Sequence, residues 1–389
     1  MKIGTVAAHF PPEINAGSVR LGPFVEAWAE EGNDVHVFTH RKERQTADPF
    51  ADVPRVQVHR VALGIADNTR SLPVRFINEA SLCFLLFWKS ITQRVDVYVT
   101  SSPPFLVAAT TLLISLVSRT PFVLDVRDLH PEQLFTYGIV RRESTFGKFL
   151  SWIESQIYDH AALIVAVTEG MCSYIRDRTQ TPTALIQNGI DTRKFYRYES
   201  LPESSDFTII FHGILARSQN VELIVEYGKY LKRQGVDDVV FQVIGDGPKR
   251  DILMDSIDEH DLSDVINYVG FVDHEDITDY VNQADVGFSP RVDGFINKTV
   301  IPVKVYECLG CGLPVVVTPR GEAGAFVAEE DVGFQHANDD LDGIHKSIMA
   351  LKEDQQLYQK YSGRAVEVAQ RFDRRKMGRN FYELMIEHT

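Results

Sequence analysis

Apolar residues fall into two kinds of pattern along this chain. Short continuous runs occupy residues 2–7, 34–39, 56–61, 96–100, 122–126, 163–167 and 183–186. Between them lie stretches in which apolar positions return every three or four residues, as at 19–31, which Gly32 ends, and at 105–117. The first kind predicts strands and the second amphipathic helices. The strand runs are continuously apolar instead of alternating, so both faces of the sheet need cover, and a parallel sheet follows. A polar, turn-rich stretch at 194–206 (KFYRYESLPESSD) interrupts the pattern, which then restarts. Strands are predicted at 207–212, 239–244, 265–269, 286–289, 314–317 and 333–335, with helices at 220–234, 249–259 and 277–283. The expected fold class is α/β, with two Rossmann-like doubly wound parallel sheets in separate domains. The boundaries read as a domain at 1–193, a linker at 194–206, a second domain at 207–365 and a closing helical segment at 366–389.

Length and composition agree with this reading. The chain has 389 residues, 44% of them hydrophobic and 24% charged, ordinary values for soluble domains with sizeable cores. A net charge of −14 argues against nucleic-acid binding through a broad basic surface. Cys308 and Cys311 form a Cys-x-x-Cys pair, but Cys83 and Cys172 supply no second pair at zinc-site spacing, so core packing is expected for all four. The chain opens directly on a strand, which predicts no secretory leader and a reducing, cytoplasmic setting. The run at 82–88 (LCFLLFW) is shorter than the roughly 20 residues a spanning helix takes. Arg70, Arg75, Lys89 and Arg94 flank it. It reads as a core helix or as an interfacial one, a peripheral membrane contact through residues 70–94 with basic residues on anionic headgroups.

In an open parallel sheet, ligands bind beyond the carboxyl ends of the strands. With two sheets, those edges are expected to face one cleft. The loops to inspect are then 10–20, 101–104, 127–132, 213–220, 245–249 and 290–304. At 241–250 (FQVIGDGPKR), Arg250 stands where a dinucleotide fingerprint needs its third glycine, so a tight turn at Gly245 is preferred. In the turn that opens the second sheet, Gly213 permits close backbone approach and Arg217 offers a fork of donors to a phosphate. Ser218 or Asn220 can cap the helix that follows, whose first amides favour anions.

Within residues 297–319 (NKTVIPVKVYECLGCGLPVVVTP), Lys304 and Glu307 share a helix face inside an otherwise apolar run. Pro302 suits the first helical position. Lys304 and the helix amides suit a diphosphate, and the Glu307 carboxylate suits the paired hydroxyls of a ribose. A local Lys–Glu pair is the plainer alternative. At 127–132 (RDLHPE), Asp128, His130 and Glu132 stand at the first sheet's edge, where they can orient or deprotonate a sugar hydroxyl. A salt bridge to Arg127 or a helix cap accounts for Asp128 equally well.

Taken in order, these segments resemble the family 4 retaining glycosyltransferases with a GT-B fold, and the resemblance covers nearly the whole chain. It is carried by His9-Phe-Pro-Pro-Glu13 with Gly17 and Arg20, Ser101-Ser-Pro-Pro104, Arg127-Asp-Leu-His-Pro-Glu132, Val167-Thr-Glu-Gly-Met171 and Asn188-Gly-Ile-Asp191. Gly245-Asp-Gly-Pro248, Gly270-Phe271, Ala284-Asp285 and Glu307 followed by Gly312-x-Pro314-Val315 complete it. The set is similar to a bacterial branch acting on surface polysaccharides.

The resemblance implies a role for each position. Glu307, matching the second glutamate of a Glu-x7-Glu motif, binds the donor ribose. Lys304 and the helix start at Val303 face the diphosphate, with Gly213 and Arg217 opposite. Gly270, Phe271 and Val272 read the base by their backbone. Gly17, Gly245 and Thr299 belong to the donor site, and Asp128 and Glu132 lie toward the acceptor or the transferred sugar. Arg217, Lys304, Asp128 and Glu132 carry the chemistry. The closing helix crosses back onto the N-terminal domain. Three positions depart from the family pattern: Thr299 stands where the first motif glutamate is expected, Gln219-Asn220 where Lys-Gly is usual, and His130 where the similar branch has tryptophan. These bear on sugar recognition more than on nucleotide binding, and residues 290–299 are expected to handle the sugar.

The activity implied is transfer of a hexose-type sugar, hexosyl or N-acetylhexosaminyl, from a nucleotide diphosphate with retention. The expected nucleotide is UDP. The expected acceptor is a lipid-linked saccharide at the inner membrane face. Arg217, Lys304 and the helix amides stabilise the departing diphosphate. There is no convincing Asp-x-Asp, so no metal and no other cofactor is expected. Closure of two domains would exclude water. The alternatives are a sugar-nucleotide epimerase of GT-B fold and a nucleotide-binding pseudo-transferase. Arg250 and the glycine placement disfavour a dehydrogenase.

Overall fold

The computed structural model describes residues 1–13, 15–41, 48–62, 72–200 and 206–389. The chain divides into two units, residues 1–188 with 374–389, and residues 189–373. In the first, β1 (Lys2–Val6), β2 (Asp34–His40), β3 (Val56–Val61), β4 (Val97–Ser102), β5 (Phe122–Val126), β6 (Leu163–Ala166) and β7 (Thr183–Leu185) form one sheet in the order 3-2-1-4-5-6-7. Every pairing is parallel. β5 and β6 are buried at every position, which is why all their residues are apolar except Asp125, which pairs with Arg20.

The second unit repeats the scheme. β8 (Phe207–His212), β9 (Val239–Ile244), β10 (Ile266–Gly270), β11 (Val286–Pro290), β12 (Val315–Thr318) and β13 (Gly333–Gln335) pair in parallel in the order 10-9-8-11-12-13. Alternate residues serve opposite cores. Ile209, Phe211, Phe241 and Val316 pack with Tyr227 on one face, while Ile210, Ile244, Val315 and Val317 pack with Tyr306 and Leu309 on the other. Strand order reverses direction between β1 and β4 and between β8 and β11. Those switch points are where a doubly wound sheet opens a crevice at its carboxyl edge.

Local chemistry moved several expected boundaries. The first helix starts at Ala16 instead of 19, because Asn15 accepts from the amides of Gly17 and Ser18 while Ser18 Oγ accepts from the Asn15 amide, a reciprocal cap. Pro302 sits at the N-cap, one residue before the expected position, with extended backbone, and the helix runs Val303–Gly310. The run at 82–88 belongs to the longer helix Leu72–Ile91. One side of it buries Leu82, Leu86 and Ser90, and the other exposes Ile77, Phe84, Leu85 and Trp88. Arg70 and the side chain of Arg75 lie outside the described residues, as do residues 201–205 of the expected linker. Among the described residues, no helix is long and apolar enough to cross a membrane. All four cysteines are buried thiols.

The closing segment is two helices, Gln355–Arg371 and Arg374–His388, and the chain passes back to the first unit between them instead of at 366. Long-range bonds set the break. Ile190 N donates to Phe372 O at 2.9 Å, and Thr192 Oγ1 donates to Asp373 Oδ2 at 2.6 Å. The last helix packs on Ala16–Glu30, with Trp28 Nε1 donating to Gly378 O at 2.9 Å and Phe381 between Phe24 and Trp28. A Cβ at Gly378 would stand 3.0 Å from Phe24 Cα, so glycine lets these two helices approach closely.

Candidate active site

At the switch point of the second sheet, the turn after β8 is tied to the loop after β11. Asn220 N donates to Pro290 O, and Val292 N donates to Ser218 O, both at 3.1 Å. Asn220 also caps the following helix, accepting from Leu223 N. Gly213, Gly245 and Gly270 all have positive φ, at 116°, 132° and 89°. A Cβ on Gly245 would fall 2.0 Å from Gly213 O, so the two turns meet backbone to backbone. The Gly-x-Gly at 245–247 is therefore a tight turn, and Gly245 N continues the contact by donating to Gly270 O at 2.8 Å.

Lys304 rises from the first turn of Val303–Gly310 toward Gly213, where a Cβ would lie 3.6 Å from its Nζ. Its ammonium sits 3.6 Å from the centroid of the Phe211 ring and donates to Gln219 Oε1 at 3.3 Å. Desolvation, with the nearby Arg291 charge adding to it, pushes this ammonium down to about 7. An anion placed beside it would favour the charged form. Among the described residues, no side chain caps the first amides of this helix. Arg217 is exposed on the turn.

Glu307 is buried one turn further in, and His212 Nε2 lies 2.9 Å from its Oε2. A carboxylate only accepts, so Nε2 carries the hydrogen and holds the carboxylate in place. Lys304 and Glu307 thus each have their own principal partner. The simple i, i+3 pair does not describe them. Thr299, eight residues earlier, is also buried, and its hydroxyl donates to Ile296 O at 3.1 Å, closing the short helix Phe295–Lys298. In the neighbouring loop, Arg291 donates to Asn297 Oδ1 at 2.7 Å. Phe271 stands 75% exposed beside Gly270, while Val272 packs on the core.

In the first unit, the loops after β1, β4 and β5 converge. Arg127 donates to Ser101 Oγ at 2.7 Å and to Pro103 O at 3.0 Å, and a Cβ added to Gly17 would come within 3.0 Å of its Nη2. Asp128 accepts from Gln133 Nε2 at 2.9 Å. Burial lowers the His130 pKa, with Asp128 opposing the shift. Glu132 is already engaged, accepting from Tyr174 Oη at 2.8 Å and pairing with Arg142. Arg20 is fully buried against Asp125 and donates to Ile186 O, fastening the first helix to the sheet.

The sequence reading passed over two constellations. His212 stood in a segment already singled out, but nothing in local spacing linked it to a glutamate 95 positions away. His9, Glu13 and His40 bring two imidazoles and a carboxylate together at the edge of β1 and β2. There the His9-x3-Glu13 spacing was a signal that could have been followed.

Residues 192–368 match the family model for glycosyl transferases group 1, and residues 16–189 match that for the glycosyl transferase 4-like domain. The probable glycosyltransferase WbjE of Pseudomonas aeruginosa is 24% identical over 260 residues, covering 63% of each chain. The amylovoran biosynthesis glycosyltransferase AmsK of Erwinia amylovora is 26% identical over 142 residues, 36% of this chain and 34% of that one. The chain thus spans less than two thirds of these relatives' lengths. Among solved structures, sucrose-phosphate synthase from Thermosynechococcus elongatus superposes with a TM-score of 0.79 at 16% identity over 99% of this chain and 98% of that one. HepE of Anabaena in complex with UDP gives 0.73 at 16% identity over the whole of both. These structural likenesses show the fold.

Proposed function

We propose, since this chain belongs to the family 4 glycosyltransferases of GT-B fold, that it transfers a hexose-type sugar from a UDP-linked donor, with retention, in surface-polysaccharide synthesis. The observation that carries the reading is the grouping of Gly213, Lys304 and the His212-held Glu307 at the switch point of the second sheet. A diphosphate supplies the anion that a desolvated ammonium lacks, and uncapped helix amides add donors. Glu307, fixed by His212, accepts from the ribose hydroxyls. Arg217 reaches the phosphates from the turn. The backbone at Gly270 to Val272 receives the base. As the bond to the sugar breaks, charge grows on the diphosphate, and these preorganised donors stabilise it. A departing phosphate oxygen can take the acceptor's proton on the same face, which gives retention. Asp128 orients the acceptor hydroxyl, and Glu132, held by Tyr174 and Arg142, positions the loop that carries Asp128.

The relatives support this reading at a coarser level. HepE has been solved with UDP and with UDP-glucose. AmsK is named for amylovoran biosynthesis. A lipid-linked acceptor is supported by the apolar outer surface of the first unit. There the neighbouring helices Leu72–Ile91, Phe105–Ser118 and Thr145–His160 expose Phe84, Trp88, Leu116, Phe149 and Trp152 beside Lys89, Arg119 and Lys148.

The test is nucleotide release across a panel of UDP-, GDP-, ADP- and dTDP-sugars, with and without lipid-linked saccharides. Acceptor-dependent release of UDP is expected. Epimerisation of UDP-GlcNAc without any acceptor would replace the reading with an epimerase. UDP binding with no turnover across the panel would replace it with a nucleotide-binding protein.

A further inference from the structure

We propose that His9, Glu13 and His40 form a binding site for a divalent transition-metal ion of the zinc type at the carboxyl edge of β1 and β2. The site lies within the first unit and does not depend on the transfer reading. One ligand atom from each residue lies within 4.8 Å of the others. His9 Nδ1 is 2.8 Å from Glu13 Oε2, and His40 Nε2 is 3.5 Å from the same oxygen.

The protonation pattern argues for a cation there. His40 Nδ1 is in hydrogen-bond contact with Ala8 O, and a carbonyl only accepts, so Nδ1 carries the hydrogen. In the neutral ring, Nε2 then presents a lone pair toward a carboxylate oxygen. Two acceptors face one another, with a second imidazole nitrogen converging on the same oxygen. A proton or a metal ion must sit among them. A His9 Nδ1–H can serve the Glu13 oxygen at 2.8 Å, but at 3.5 Å the His40 contact is long for a proton-bridged pair, so His40 Nε2 is left as an acceptor facing an acceptor. Two imidazoles and one carboxylate are the three-ligand set that zinc takes when its fourth position stays open. The Ala8 carbonyl supplies the outer partner that fixes the tautomer and aim of a metal-bound histidine.

The surroundings fit this assignment. His40 is buried at the end of β2, while His9 and Glu13 are partly exposed, which leaves an entry path and room for a fourth ligand. The turn carrying Glu13 is restrained by Pro11 and Pro12 and by donation from Glu13 N to Phe10 O and from Ser18 Oγ to Glu13 O. The neighbouring cation, Arg60, is paired with Asp48 at 2.8 Å and donates to Pro11 O. A bound ion would lock residues 9–13 onto β2 and so steady the Asn15 cap and Gly17.

The experiment titrates the full chain, stripped with chelator, with Co2+ and then Zn2+ near neutral pH. The expected result is one Co2+ per chain with visible d–d absorption, no thiolate-to-cobalt charge-transfer band, and displacement by Zn2+. His9→Ala and Glu13→Gln should each lower the affinity at least about tenfold, since even outer-shell changes cost 10–100-fold. Circular dichroism of the metal-free variants should match wild type. A site that survives both substitutions, a thiolate band pointing to Cys308 and Cys311, or binding only at millimolar cobalt would overturn the proposal.

Discussion

Lys304 places its ammonium against Phe211 and Gly213, and desolvation holds its pKa near 7 instead of the ordinary 10.5. Between those values the unfolded chain holds a proton that the native chain lacks. Its contribution to stability therefore rises with pH across that window, and the burial penalty is fully present below it. A diphosphate bound beside it, as proposed, would reverse the shift. Titrating UDP at about pH 8 in buffers of different ionisation enthalpy should therefore reveal net proton uptake, and Lys304→Met should lose it. Equal uptake in the variant would assign the proton to another group. Glu307 teaches a complementary lesson. The sequence marked it as a carboxylate out of place in an apolar helix, and that much was legible. Its orientation was not, because His212 arrives from β8, 95 positions away. His212→Ala should remove the imidazole donor from the buried Glu307 carboxylate, at a cost of about 1–3 kcal/mol in denaturant melts. It should also weaken UDP binding, while His212→Gln, which keeps an N–H donor, should recover part of it.

At the scale of elements, the helix that carries residues 82–88 has one buried side and one exposed side. Leu82 and Leu86 pack inward, and Phe84 and Trp88 stay outside, 62% and 53% exposed. A run that is apolar all round carries no moment to reveal this, so exposure had to come from the packing. Phe149 and Trp152 are likewise exposed, on Thr145–His160, a helix the strand pattern did not bring out. If this surface seats on membrane, Phe84→Glu with Trp88→Glu should abolish flotation with anionic vesicles, and Phe149→Glu with Trp152→Glu should weaken it. Flotation unchanged in both folded double variants would remove the membrane role. Turn chemistry was more legible than surface. Gly213 and Gly245 were singled out from sequence, and their positive φ and mutual contact account for the glycines there.

Across the whole molecule, two parallel sheets were readable because strands such as β6, β11 and β12 are buried at every position and write short, mostly apolar runs. The boundary at the C-terminus was not, because Phe372 and Asp373 are held by Ile190 and Thr192, and such long-range bonds leave no periodic trace. The return of the last helix to the first unit makes a stability prediction. Phe381 is fully buried between Phe24 and Trp28, so Phe381→Ala should cost about 3–5 kcal/mol in denaturant unfolding of that unit. A cost below about 1 kcal/mol would mean that this helix is an accessory to the fold.

The proposed function rests on a nucleotide-diphosphate site at the carboxyl edge of the second sheet, and a calorimetric titration with UDP tests that proposal. Wild type should bind at one site. Glu307→Ala and Arg217→Ala, both folded, should each lose at least about tenfold in affinity, as expected when a charge-assisted hydrogen bond is removed. Wild type that fails to bind UDP, or two variants that bind it as tightly as wild type, would contradict the assignment.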